Sequence, residues 1–253
     1  MTGGGNEGTI HLDDLSVGGL KASKFAFGYT KNRDFSGNQK LGGILGMSLP
    51  GHVDYVPGFK NHGWGGFVQT LKSQGVIDEA MYQMTLKGDG GKLSIGEVDD
   101  SQYEGDLETL TNTGKAYGHC GFKGTLNGEK HNFLLDSGTT GIAGSYDSVK
   151  KFLQGMSGVE LVEEDKRGSV TGKVDCDSMP SFKISVDGKF DVKLSDDVVK
   201  KYDLGNGKCM LPIYGYTNMP NSYSYNWIVG GAFMREVSVV CKFDSNEMQI
   251  ARQ

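Results

Sequence analysis

The stretch Phe133-Leu134-Leu135-Asp136-Ser137-Gly138-Thr139-Thr140 sets the tightest condition on what this chain can fold into. Three consecutive apolar residues fit a buried strand, and the acid, hydroxyl and glycine that follow fit a tight turn. A strand that carries a carboxylate out of a core and stops it at a turn places that carboxylate for use. Taken alone, Asp-Ser-Gly equally fits an aspartate that only braces its own turn. The context toward the C-terminus narrows the choice. Trp227-Ile228-Val229-Gly230-Gly231 is followed by Phe233 and by the strand-like run Val237-Ser238-Val239-Val240-Cys241-Lys242-Phe243-Asp244.

The rest of the chain reads as short strands and tight turns. Glycine, at 40 of 253 residues, is about twice its usual share of ~7%. With scattered Val, Ile, Phe and Tyr, this points to a mainly β chain. Gly8 to Val17 and Phe25 to Tyr29 form a hairpin over Gly18-Gly19. Leu41 to Met47 reads as a buried strand whose glycines permit close backbone approach. Phe67, Val68, Leu71, Val76 and Ile77 fit a short amphipathic helix stopped at Gly75. Met81 to Leu86 and Lys92 to Val98 are strands around Gly88-Asp89-Gly90-Gly91. Asn127-Gly128 joins Gly118–Leu126 to Glu129–Leu135, and Asp187-Gly188 joins Phe182–Val186 to Lys189–Leu194. Helices are expected from Ser145 to Leu153 and, capped by Ser195, to Tyr202.

Several function classes are excluded. The net charge is −5 with no basic stripe, so nucleic acid has no footprint. No apolar run reaches the length of a membrane span. No G-x-S-x-G, H-E-x-x-H, P-loop or dinucleotide fingerprint is present, so no cofactor is implied. His52, His62 and Trp64 fall in a polar loop without ligand spacing, and none of the four cysteines lies in a C-x-x-C, so no metal site is expected. Cys120 and Cys241 are both in expected strands, where they either pair or stay as buried thiols.

The ordered set of motifs resembles the pepsin-like aspartic protease family. The D-S-G-T-T at Asp136, the apolar-apolar-Gly of Ile228-Val229-Gly230 and the final Phe243-Asp244 strand match its C-terminal lobe. Gly43-Ile44-Leu45-Gly46-Met47, Phe67 to Ile77, and Lys92 to Asp99 with Tyr103 to Leu107 match segments of its N-terminal lobe in order. The resemblance implies a pepsin-like acid protease fold. Residues 1–110 would be a partial N-terminal lobe, and 111–253 a complete C-terminal lobe. It also implies a Cys176–Cys209 disulfide, an oxidising compartment, and a secreted or vacuolar/lysosomal setting, although no signal peptide leads this sequence. A β-sandwich that binds carbohydrate or lipid would explain the strands and glycines but not the order of the matches.

The family hydrolyses peptide bonds with two aspartates, each in its own D-[ST]-G, that share a proton and hold a water. Like charges so close cannot both ionise, and the pair works as acid and base together. Carried over by motif, Asp136 is the catalytic aspartate. Ser137 would bond across to the opposite lobe, Gly138 would admit the backbone close to the carboxylate, and Thr139 and Thr140 would line or support the site. The Ile228–Gly230 segment should lie beside the Phe133–Leu135 strand. Only one D-[ST]-G occurs in this sequence, and its first residues align with the flap, without the flap tyrosine. The implied activity is that of an aspartic endopeptidase, or its heavy portion, inactive as this chain alone. The partners would be a polypeptide substrate and a missing N-terminal segment or light chain. The alternatives are a non-catalytic pepsin-like protein that binds peptide or protein, and a dimer that pairs two copies of Asp136.

Overall fold

The computed structural model describes residues 8–30, 42–48, 65–114, 118–164, 168–194, 203–219 and 225–253. They fall in two compact units, Met1–Ala80 and Met81–Gln253.

In the first unit, β1 (Gly8–Val17) and β2 (Leu20–Thr30) form an antiparallel hairpin. Its Gly18-Gly19 turn has φ values of 57° and 85°, cheap only without a Cβ. Helix α1 (Phe67–Ser73) buries Phe67, Val68 and Leu71. The Phe67 ring meets Phe25 of β2 edge-on at 5.8 Å. The Gln74 side chain, just past the helix, accepts from the Ser23 N–H at 2.8 Å and donates to the Ser23 carbonyl at 2.7 Å. The expected strand at Leu41 to Met47 does not form. Leu41 lies outside the described residues, and 42–47 carry no regular structure, with Ile44 77% exposed. The physical reason is visible at Gly42, Gly43 and Gly46. Among the described residues, no atom lies within 4 Å of a Cβ built there, so none of them packs closely on these glycines. The His52–Trp64 loop and the Ser195–Tyr202 helix lie outside the described residues.

Among the described residues, the second unit holds two sheets. The smaller contains β3 (Met81–Lys87), β4 (Gly90–Ile95), β5 (Glu104–Thr111), β15 (Val237–Lys242) and β16 (Glu247–Arg252), in the order β4-β3-β15-β16-β5. Its strands join distant parts of the chain, so this sheet cannot form until the C-terminus is present. Thr85 and Ser238 share a buried 2.7 Å hydroxyl pair, and the Gln83 amide donates to Ser238 at 2.9 Å, so these three buried side chains are partnered.

The larger sheet holds β6 (Gly121–Leu126), β7 (Glu129–Leu135), β8 (Ile142–Ser145), β9 (Glu160–Glu164), β10 (Ser169–Asp175), β11 (Lys183–Val186), β12 (Phe190–Lys193), β13 (Lys208–Tyr216) and β14 (Trp227–Val229). Their order is β12-β11-β6-β7-β14-β8-β13-β10-β9. The β6–β7 and β11–β12 hairpins turn at Asn127-Gly128 and Asp187-Gly188, where all four residues have positive φ. Helix α2 (Tyr146–Gln154) is capped by Ser145, whose hydroxyl accepts the Ser148 N–H, and it buries Val149 and Leu153. Phe122 stacks on Phe133 at 5.0 Å and on Phe233 at 5.5 Å, in the core beneath β6 and β7.

Two disulfides tie this unit. Cys176–Cys209 joins the chain after β10 to β13, with Cα atoms 5.0 Å apart. Cys120–Cys241 also forms, linking the entry to β6 with β15 of the other sheet. The bridges span 33 and 121 residues. By the loop-entropy estimate, removing them costs about 4 and about 5 kcal/mol. The Cys120→Ala/Cys241→Ala variant should therefore lose more stability in urea unfolding than Cys176→Ala/Cys209→Ala. The reverse order would show that the longer bridge does not constrain the unfolded chain.

Acid response has a local source as well. The Asp99 carboxylate accepts hydrogen bonds from Lys92 and from the hydroxyl and N–H of Ser101, and these hold its pKa at about 2. The folded value is depressed, so the contribution is complete above the ordinary 3.8 and fades as pH falls toward about 2. Asp99→Asn should flatten the stability profile in that window by lowering stability above it, with little change at the acid end. An unchanged acid limb in the variant would remove Asp99 from the account.

Candidate active site

Asp136 is placed by the sheet. Its N–H donates to the Val229 carbonyl at 3.1 Å, one step beyond the parallel pairing Trp227↔Phe133, Ile228↔Leu134, Val229↔Leu135. On the other side, β14 runs antiparallel to β8, with Val229 opposite Ile142. Strands β7 and β8 are consecutive in the sequence but are separated in space by β14. The segment 136–141 must therefore cross over the end of β14, and that crossing is the Asp-Ser-Gly-Thr-Thr turn.

The turn is closed by the Thr139 N–H, which donates to the Asp136 carbonyl at 3.0 Å. The half-buried carboxylate is held at both oxygens. Oδ1 accepts the Gly138 N–H at 2.9 Å, and Oδ2 accepts the Thr139 hydroxyl at 2.7 Å. A Cβ at Gly138 would lie 3.1 Å from Oδ1, tight enough to press on the carboxylate. Ser137 and Thr140 are exposed. Thr140 acts through its backbone, accepting the Ala232 N–H at 2.9 Å.

The segment after β14 locks the crossing. Gly230 donates to the Gly141 carbonyl at 2.9 Å, and Gly231 donates to the Thr139 carbonyl at 2.7 Å as it opens helix α3 (Gly231–Met234). A Cβ on Gly230 would fall 1.8 Å from the Thr139 oxygen, so only glycine fits. At Gly231 the nearest atom would be 3.4 Å away, an ordinary contact.

Sequence reading missed Tyr82. Part of its side chain reaches solvent, yet burial pushes the phenol up to about 12, and the Asp136 charge adds to the shift. The phenol therefore stays protonated across the acidic range, within the electrostatic reach of Asp136. Strand alternation marks Tyr82 only as one face of β3, and nothing in the sequence ties that face to Asp136. Among the described residues, one cluster has the donor types of a metal site: Cys176, Asp203 and Cys209, within 4.8 Å of one another. Both sulfurs are committed to the disulfide, which leaves no thiolate to ligate.

A family model described as eukaryotic aspartyl protease matches residues 2–253. The chain belongs to that family. A "Probable inactive secreted aspartyl protease" of Malassezia globosa is 97% identical over 253 residues, covering 100% of this chain and 65% of that protein. Secreted aspartyl protease 1 of the same organism is 31% identical, over 96% of this chain and 58% of its own length. This aspartyl protease chain thus spans about three fifths of the length of these relatives. The crystal structure of the aspartic proteinase from Irpex lacteus aligns with a TM-score of 0.76 at 17% identity, over 98% of this chain and 78% of that one. At that identity the likeness speaks for the fold, which is mainly β and pepsin-like.

The close approach at Gly230 makes a direct prediction. Gly230→Ala should destabilise the second unit by about 3 kcal/mol or more, because backbone must move. Gly231→Ala should cost less than about 1 kcal/mol. Thr139→Val, which removes a charged hydrogen bond, should cost about 1–2 kcal/mol. Equal effects of the two glycine substitutions in denaturant unfolding would contradict the crossing described above.

Proposed function

We propose that this chain is the larger portion of a pepsin-like aspartic endopeptidase, that it carries one of the two catalytic carboxylates, and that it does not hydrolyse peptides by itself. Residues 1–110 are then a partial N-terminal lobe and 111–253 the C-terminal lobe. The single observation that carries the reading is the lone Asp-Ser-Gly. Its carboxylate is held by Gly138 and Thr139, and no second Asp-[Ser/Thr]-Gly occurs in the 253 residues. Family chemistry asks one aspartate to take a proton from water while the other donates to the scissile carbonyl. One carboxylate cannot be both at once. In this reading Asp136 is the catalytic residue, and Ser137, Gly138, Thr139 and Thr140 support it or line the site. The partner is an extended polypeptide, and a further segment or light chain supplies the second aspartate. The setting is secreted, or vacuolar or lysosomal, which suits the two disulfides.

A second reading is a peptide-binding protein that has lost cleavage altogether. It is favoured by the name of the 97% identical relative, "Probable inactive secreted aspartyl protease". Acid hydrolysis of a quenched peptide between about pH 3 and pH 6, the range suggested by coupled carboxylates, separates the readings. The 253-residue chain should show no cleavage. The full-length form should cleave, and Asp136→Asn should abolish that cleavage with the fold intact. Cleavage by this chain alone that disappears in Asp136→Asn and scales with the square of concentration would support a dimer instead. Cleavage that survives Asp136→Asn would place the chemistry elsewhere. No cleavage by the full-length form, with peptide still bound, would leave the second reading.

A further inference from the structure

His131 lies on β7 outside the Asp136 turn, at the place where helix α2 meets the larger sheet. Its half-buried ring meets Phe133 of the same strand edge-on at 6.1 Å and Trp227 of β14 edge-on at 5.8 Å. This seat is poor in polar groups. The Trp227 indole nitrogen is buried with no hydrogen-bond partner, and β6 sets Gly124 opposite His131. The charged groups that face the ring are Glu129 on its own strand and Lys151 on α2. Lys123 of β6 and Lys130 of β7 alternate to the opposite face of the sheet. One carboxylate serves both cations. Glu129 Oε1 accepts from Lys151 Nζ at 3.2 Å, and its Oε2 lies 3.9 Å from His131 Nε2. At the same end of α2, Phe152 meets the Trp227 ring edge-on at 6.0 Å. Glu129 and Trp227, which hold this end of α2, are therefore also the neighbours of His131. A neutral imidazole suits the seat. A charged one loses water, stands as a second cation near Lys151 and draws on the same carboxylate.

We propose that His131 is an acid-responsive joint: it holds α2 on the larger sheet while its ring is neutral, and loosens the helix when the ring takes up a proton. The joint is independent of the protease reading, since neither Asp136 nor a second carboxylate enters it. Burial lowers the His131 pKa below the ordinary 6.5; Glu129 opposes the shift and Lys151 adds to it. As pH falls, the unfolded chain therefore binds this proton first. The stabilisation is complete above 6.5 and is lost as pH drops toward the folded value. The Lys151 and Glu129 side chains are 77% and 63% exposed, so their ion pair contributes little by itself. The cost of a charge in the aromatic seat is what drives the change.

Two measurements on the 253-residue chain test this. An NMR titration of the His131 imidazole should give a midpoint below 6.5. Glu129→Gln should lower that midpoint further and Lys151→Met should raise it, opposite responses that a merely structural role would not produce. Amide exchange of α2 (Tyr146–Gln154), corrected for the intrinsic effect of pH, should be at least about threefold faster at about pH 4.5 than at about pH 7, with β3 and β15 unchanged. His131→Phe keeps an aromatic ring in the seat but cannot take a proton, and it should abolish the difference. If that variant fails to fold, the opposed shifts of Glu129→Gln and Lys151→Met still decide the matter. A midpoint at or above 6.5 overturns the inference, because the seat would then favour the charge. Midpoints that move the same way in the two variants overturn it, as does a pH response of α2 that survives in His131→Phe. Acceleration that includes β3 and β15 would mark global unfolding and counts against the joint as well.

Discussion

Strand β14 lies between two strands that are neighbours in the sequence, parallel to one and antiparallel to the other. That insertion is the constraint on which the site depends. Strands β7 and β8 cannot hydrogen-bond to each other, so residues 136–141 have to span the width of an intervening strand. Its end supplies the Val229 carbonyl to Asp136, the Gly230 N–H to Gly141 and the Gly231 N–H to Thr139. The turn that bears the carboxylate is thereby a continuation of the sheet. A turn tied in this way holds its carboxylate in one place, as the proposed role of Asp136 requires.

The same constraint explains which residues surround the carboxylate and which do not. Gly138 and Thr139 are forced by the crossing to aim an N–H and a hydroxyl at Asp136. Gly230 has no freedom because the Thr139 oxygen fills the place of a side chain. Beneath the turn, Phe122, Phe133 and Phe233 form the apolar support, and the Leu135 N–H bonds to the carbonyl of Cys120, whose sulfur reaches Cys241. The support under Asp136 therefore extends into the smaller sheet. The Asp136 carboxylate is thereby fixed at the rim of a core.

Much of this was legible in the residues because the signals are local. Asn127-Gly128 and Asp187-Gly188 announce hairpins since their positive φ is cheap only for such pairs. Ser145 announces a helix because a hydroxyl at that position satisfies an orphan N–H. The Asp136 turn and the Ile228–Gly230 strand stood out as motifs, and their side-by-side placement followed from resemblance. What the sequence hid is non-local. The glycines at 42, 43 and 46 look like sites of close packing, yet whether a backbone comes near them depends on elements far along the chain. Tyr82 lies on β3, which pairs with β15, the strand whose cysteine bonds to Cys120, so its link to Asp136 is non-local. The Cys120–Cys241 pairing was one of two possibilities for the same reason.

The most direct test of this account is residue-resolved amide exchange at the crossing itself. Asp136, Thr139, Gly230, Gly231 and Ala232 each donate to a carbonyl of the turn or its neighbours. If the turn is part of the sheet, their amides should exchange as slowly as those of β7 and β14 and open together with them, in a single cooperative event. Rapid exchange at Asp136 and Thr139 beside a protected β7 would mean that the turn is an ordinary mobile loop, and that its carboxylate is not held in place by the inserted strand.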